Sequence, residues 1–431
     1  MSTPEENGPG NSGENPFKGT PFEPLFAGGV PDLQGLMAQV QSMMQPYDGP
    51  VNWDAALDTA RRTVAQQPDP SPDQRQKDAV ADAVRLADHW LDATTDFTSG
   101  TTTAAAWSRA EWIVATMDVW KVMVEPLAAR SAASMGEALP EEARAVAGPM
   151  LGMIQQAMGS MVAHQIGQGL GTLAGEVLGT TDIGLPLVPA GRAALVTANV
   201  AAFAEGLDVG SDDVLLYLAL REAAHQRLFA NVGWLRDHLI GAVTDYARGI
   251  DVDVSSMEEK MRSLDPTDPA AMAQAMEGGL FQIEDTPAQK AALERLEVTL
   301  ALVEGWVDEV VGQATEQRMP AAAKLAEAMR RRRAAGGPAE QAFATLVGLE
   351  LRPRRLRDAA TLWGSLRTRQ GTEGRDGVWM SPQLLPTAAD LDDPLGFRED
   401  AVAGPELSEE DFDAGLRALL DEPGEDRPTE Q

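Results

Sequence analysis

No cysteine occurs anywhere in the chain, which excludes disulfides, thiolate metal sites and thiol nucleophiles and fits a reducing compartment. A zinc ion would have to rest on His, Asp or Glu, and histidine is itself scarce, with 4 in 431 residues. The N-terminal run MSTPEENGPGNSGENPF has neither the basic start nor the apolar stretch of a secretory signal, so the expected location is cytoplasmic. Long apolar runs are missing too. The uncharged stretch from Ala145 to Gly175 is interrupted by Gln155, Gln156, His164, Gln165 and Gln168, which argues against a membrane span. There is no G-x-S-x-G elbow, Walker A pattern or Rossmann fingerprint. Gly167-Gln-Gly-Leu-Gly171 has no preceding strand or nearby lysine to make it a phosphate loop.

Positive charge is in deficit. A formal net charge of -31 repels phosphate backbones, so nucleic acid is not an expected partner. Basic residues nevertheless gather in one island, Arg330, Arg331, Arg332 and Arg333 followed by Arg352, Arg354, Arg355 and Arg357. With surplus acid covalently at hand, the expectation is an arginine lattice neutralised by the chain's own carboxylates, with a phosphate- or RNA-binding patch as the alternative.

What is present is mostly helical periodicity. The 44% hydrophobic fraction can fill a core, and the expected fold class is mainly α, α+β only through a very small β element. Residues 1–30 are expected to form a disordered leader, 31–380 one large helical domain, and 381–431 an acidic tail with one amphipathic helix. In that tail Ser408 caps a segment whose Phe412, Leu416, Leu419 and Leu420 share a face, expected to dock on the domain itself. Apolar spacing predicts helices over Asp32 to Gln45, Trp53 to Gln67 and Pro72 to Thr95, with Asn52 and Ser71 as N-caps. A longer helical stretch is predicted from about Thr103 to Glu137, carrying Trp107, Trp112, Trp120 and Val124, with Pro126 bending or breaking it. Helix is predicted again over Pro140 to Leu178. There Gly167, Gly171, Gly175 and Gly179 form a row four apart that invites a helix or strand to approach closely.

Leu185 to Val188 and Ala194 to Ala198, around a turn at Pro189, Ala190 and Gly191, suggest a small hairpin or sheet edge. Next comes a helix expected from Ser211, as N-cap, to about Phe229. Further helices are expected over Trp234 to Arg248, Ser255 to Ser263, Pro269 to Glu277, Pro287 to Glu316, Pro320 to Ala335 and Pro338 to Leu349. From Ser381 and Pro382 the chain turns loop-like.

The chemistry concentrates on the helix after Ser211. Arg221-Glu222-Ala-Ala-His225 is one residue away from H-E-x-x-H, in which two histidines four apart ligate zinc and the glutamate serves as general base. Arginine has no lone pair to give and stays cationic. A bare E-x-x-H pair is weak evidence, but its context is specific: Glu176-Val-Leu-Gly179, Leu216 to Phe229, Trp234-Leu-Arg-Asp-His-Leu239, Leu302-Val-Glu-Gly-Trp-Val-Asp308, Arg330 to Gly337 and Leu349-Glu-Leu-Arg-Pro-Arg-Arg355.

Together these resemble, over Gly167 to about Phe397, a mostly actinobacterial family of zincin-like metallopeptidases assigned as zinc-dependent hydrolases. The resemblance implies a helical zincin-like fold with a metal site around the motif helix, closed by a later helix. It carries Glu222 over as general base and His225 as ligand, with Glu304 as the later acidic ligand. Trp306 stands where relatives have histidine.

His238 is a further candidate ligand, with a capped or surface role as the alternative. His164, on the glycine-rich helix, is expected to be a buried hydrogen-bonding group and His89 a packing residue. Losing two imidazoles points to a pseudoenzyme with no zinc, a binding or scaffolding module that uses the arginine island and the amphipathic tail to contact a protein or peptide partner, and in which Arg221 takes the metal's place by bridging Glu222, Glu304 or another carboxylate. The alternative is an active zinc-dependent hydrolase with an unusual ligand set.

Overall fold

The computed structural model describes residues 47, 49–137, 141–249, 286–334, 344, 346 and 355–398, and for 130–158 the backbone alone. The leader, the predicted helices at Asp32 to Gln45, Ser255 to Ser263 and Pro269 to Glu277, nearly all of Pro338 to Leu349, and the tail from residue 399 lie outside the described residues.

The elements follow in the order α1 Trp53–Val64, α2 Gln74–Leu91, β1 Thr103–Trp107, α3 Arg109–Glu137, α4 Glu141–Glu176, β2 Arg192–Val196, α5 Thr197–Ala204, α6 Ser211–Asn231, α7 Leu235–Arg248, α8 Pro287–Thr315, α9 Ala322–Ala334, α10 Leu356–Asp376 and α11 Ala388–Asp392. Among the described residues the chain is mainly helical, with two short parallel strands. Local chemistry accounts for many of the boundaries. The Asn52 side chain accepts from the Ala55 N–H, and Thr286 and Gln289 exchange hydrogen bonds ahead of Pro287, so α1 and α8 start where orphan donors find partners. α2 is capped by Asp73 rather than Ser71, because Asp73 with Gln76 completes a reciprocal box. α6 is capped by Gly210, with Ser211 already inside the helix.

Three strand and helix expectations are corrected. Thr103–Trp107 is a strand, not the start of a helix, and pairs in parallel with β2 from Thr103↔Arg192 to Trp107↔Val196. Its alanines favour helix in isolation, so tertiary pairing overrides local propensity here. Of the two alternatives around Pro189 to Gly191, the hairpin is not formed, since Leu185–Val188 is not a strand, while the second segment does join a sheet as β2, with Thr197 and Ala198 opening α5. The other edge of β2 takes Leu178–Thr180, through Val196 N–H to the Leu178 carbonyl at 2.9 Å and Thr180 N–H to the Ala194 carbonyl at 3.2 Å. Pro126 lies inside α3 without ending it. α10 had no counterpart in the sequence pattern; it is kinked at Gly371, whose φ is 73°.

The glycine row of α4 meets α1. A Cβ at Gly171 would lie 2.5 Å from Thr63 Cβ and 2.9 Å from the Ala60 carbonyl oxygen, and one at Gly167 2.6 Å from Thr59 Cβ, whereas at Gly175 nothing lies within 4 Å. Gly179, past the helix end, is confined by Glu222 Oε2 and the Ala194 carbonyl.

The hydrophobic core is one cluster from Val51 to Leu391. α6 runs through it, buried at every residue from Tyr217 to Phe229, between α2, β2 and α8. No helix among the described residues is long and apolar enough to cross a membrane.

Candidate functional site

A helix buried on all sides must satisfy every polar group it carries, since an unpaired charge in a core costs several kcal/mol or more, on the order of a domain's whole stability margin. α6 carries Arg221, Glu222, His225, Gln226 and Arg227 in its buried stretch, and their partners define the site. Arg227 ties α6 to α2: Nε donates to Asp88 Oδ1 at 2.9 Å, Nη2 to Asp92 Oδ1 at 2.6 Å and Nη1 to the Phe97 carbonyl at 3.0 Å.

On the face toward α8, two side chains a helical turn apart meet two others a turn apart. Arg221 Nη2 donates to Glu304 Oε2 at 2.7 Å, and its Nη1 bonds Asp308 Oδ1. His225 Nε2 lies 3.1 Å from Glu304 Oε1, and its Nδ1 lies 2.8 Å from the Arg221 carbonyl, which can only accept, so Nδ1 carries a hydrogen. Both ring nitrogens are therefore engaged. Arg221 is 4% exposed and faces inward. From α9, Arg333 adds a further ion pair to Glu304 Oε2. Burial alone would raise the Glu304 carboxyl, but Arg333, His225 and Arg221 around it hold it well below the usual carboxylate range. Burial works likewise against the Arg221 cation, and Asp308 and Glu304 more than offset it, so the guanidinium stays protonated.

Glu222 points the other way, to the loop after α4. Thr180 and Thr181 hydroxyls, the Thr181 N–H at 3.2 Å and Gln226 Nε2 at 3.1 Å all donate to its carboxylate. Burial dominates those donors and pushes its protonation above the ordinary range. Gly179 makes this approach possible, because any side chain there would strike Glu222 Oε2.

A narrow, open pocket is bounded by Arg221, Glu222, His225 and Arg333 among apolar walls that include Leu218 and Met329. Zinc does not fit this donor set. Among the described residues no three His, Asp or Glu side chains converge as a metal cage. The place of one imidazole is held by a guanidinium, and the remaining imidazole is turned onto a carboxylate.

Two sequence candidates lie elsewhere. His238 is half-buried on α7, edge-on to Trp234 with ring centroids 5.4 Å apart. Burial, and then the nearby Arg295 cation, lower its protonation; Arg295 is nine residues before Glu304, about 13 Å along the helix. Trp306, two residues past Glu304, points to the opposite side of α8, where its Nε1 donates to Asp376 Oδ1 at 2.8 Å beside Phe97 and Arg375. It is not part of the pocket. His164 is exposed on α4 against Gln168 and Thr59, and His89 is exposed beside Asp92, so neither is a buried packing or ligand group.

Of the arginine island, Arg330 and Arg331 pair with Glu327, Arg330 also approaches Asp308 at 3.9 Å, Arg332 bonds Asp182 at 2.9 Å and Arg333 bonds Glu304. The sequence reading missed Asp308, although its spacing of four from Glu304 placed both on one helix face. It also missed Asp182, Thr180 and Thr181, which sit in a loop where no periodicity speaks.

A family model described as zincin-like metallopeptidase matches residues 51–397, starting well before the Gly167 at which the sequence resemblance begins. No curated protein matches the chain in sequence. Among solved structures, a candidate hydrolase with a novel fold from Chloroflexus aurantiacus is similar at a TM-score of 0.55 and 18% identity, over 87% of this chain and 100% of that one. At that identity the likeness speaks to fold alone.

Proposed function

The chain belongs to the zincin-like metallopeptidase family, and from that premise we propose that it is a member in which an arginine has taken the metal's place: a non-catalytic binding or scaffolding protein, acting in the cytoplasm on a protein or peptide partner. One observation carries the reading. The Arg221 guanidinium lies buried between Glu304 and Asp308, 2.7 Å from the former, and so supplies as a fixed side chain the positive charge that a bound cation would otherwise bring. A second cation beside it would meet strong repulsion, about 4 kcal/mol for unit charges 4 Å apart even at an effective dielectric of 20. The guanidinium bridges two carboxylates in the fork geometry it favours.

An active zinc-dependent hydrolase with an unusual ligand set is the second reading, with His225 and Glu304 as ligands and Glu222 as general base. It is favoured by one feature, the Glu222 carboxyl retained on the pocket wall with raised protonation. Metal analysis of the purified full-length chain separates the two. We expect substoichiometric zinc, no peptide hydrolysis, and zinc uptake gained in Arg221→His. Stoichiometric zinc lost in His225→Ala, with hydrolysis lost in Glu222→Gln, overturns the proposal.

A further inference from the structure

α9 is attached to the pocket by charge as well as by apolar burial. Its buried apolar side chains are Ala322, Leu325 and Met329, and its last turn reaches into the site with arginines. Arg332 donates from Nη1 to Asp182 Oδ2 at 2.9 Å and from Nη2 to the Glu176 carbonyl. Arg333 donates from Nη1 to Glu304 Oε2 and from Nη2 to the Asp182 carbonyl at 3.2 Å. Each guanidinium thus spans one carboxylate and one carbonyl, a two-pronged fit that the point charge of a lysine would not reproduce. Arg331 is exposed and pairs with Glu327 of its own helix.

Resting on the reading that this chain binds rather than cleaves, we propose that the acceptors beside the pocket, the Asp182 and Glu304 carboxylates and the Glu176 and Asp182 carbonyls, form a receptor for guanidinium groups, that α9 occupies it in cis with Arg332 and Arg333, and that a protein partner presenting an arginine pair takes their place.

Charge supports the choice of partner. With α9 lifted away, Asp182, Glu304 and Asp308 remain against Arg221 and His225, even leaving Glu222 aside. Three carboxylates, Glu304 buried and Asp182 and Asp308 half-buried, facing one permanent cation require another, and the arginines of α9 supply it. Burial would raise the Asp182 carboxyl, yet Arg332 and Arg333 hold it below its ordinary range, as Arg333 helps to do for Glu304. Exchanging one guanidinium for another leaves no carboxylate unpaired, which is the costly step in opening a buried ion pair. The cis arginines compete at the high effective concentration of a tethered group, so the wild-type pocket should bind a partner more weakly than a vacated one.

The test uses the full-length chain with Arg332→Ala and Arg333→Ala together, circular dichroism to check its fold, and a fluorescent peptide of residues 322–334 followed by anisotropy at low salt. We expect the variant to bind the peptide at least tenfold more tightly than wild type. Adding Asp182→Asn should remove most of that gain, and a scrambled peptide of equal charge should bind at least tenfold more weakly. Equal binding by wild type and variant, or by native and scrambled peptides, would report only general attraction to a chain of net charge -31 and overturns the proposal. If the double variant does not fold, Arg333→Gln alone is read in the same assay by the same criteria. Mass spectrometry of the recovered peptide separates the two claims: intact peptide without specific binding sinks the receptor alone, and cleaved peptide sinks the non-catalytic reading beneath it.

Discussion

A guanidinium at position 221 sets what the site asks of its neighbours: Glu304 and Asp308 answer a fixed, buried cation. The consequence is a strong one-sided dependence. Arg221→Ala leaves Glu304 and Asp308 short of a buried partner, and should cost about 3–5 kcal/mol in urea unfolding, as breaking one side of a buried pair does. Replacing Arg221, Glu304 and Asp308 together by leucine should recover only part of that loss, because Arg333 and His225 then lose Glu304. The carboxyls also set the response to pH. Glu304 and Asp182 ionise more easily in the folded chain, so their contribution is full above about pH 4, the unfolded value, and drains away as pH falls toward the folded one. Glu222 is raised, so its contribution is full below about pH 4 and is lost as pH rises through its folded value. Unfolding free energies between pH 4 and 7 should therefore rise in Glu222→Gln relative to wild type as pH increases. No change in the difference would mean that Glu222 is ionised in the fold. His225 was legible as a candidate and Asp308 was not, because a carboxylate on a helix says nothing about its partner until the facing helix is known.

Among the elements, α4 against α1 offers a clean contrast. Gly171→Ala drives a methyl into Thr63 and the Ala60 carbonyl, and should destabilise by about 1–3 kcal/mol through overpacking. Gly175→Ala meets nothing within 4 Å and should stabilise by up to about 1 kcal/mol through helix propensity. Equal effects at the two positions, read from denaturation midpoints, would refute the close approach. The row of glycines foretold that approach without naming its partner. α10 escaped the pattern because Gly364, Gly371 and Gly374 dilute its helical signal; Leu362, Trp363 and Leu366, buried in the core, mark the face that holds it.

For the whole molecule, net charge -31 implies self-repulsion that salt relieves, since the screening length falls from about 30 Å at 0.01 M to about 3 Å at 1 M. The thermal midpoint should rise with sodium chloride, while the Arg221 lattice, screened from solvent, holds. Over the same range hydrogen exchange in α9 should quicken relative to α6, because its attachments are ion pairs nearer the surface. A midpoint that falls with salt would show that pairs such as Arg295 with Asp245, both partly exposed, outweigh the repulsion.

The sequence by itself determined the helical class, the helix that carries the motif, and the inability of position 221 to ligate a metal, because helical periodicity and side-chain chemistry are local properties. Tertiary structure alone decided that Thr103–Trp107 is a strand, that Trp306 and His238 face away from the pocket, and that Arg221 closes on Glu304 and Asp308. Those outcomes depend on the register between elements distant in the chain, which desolvation and close packing fix only once the helices have met.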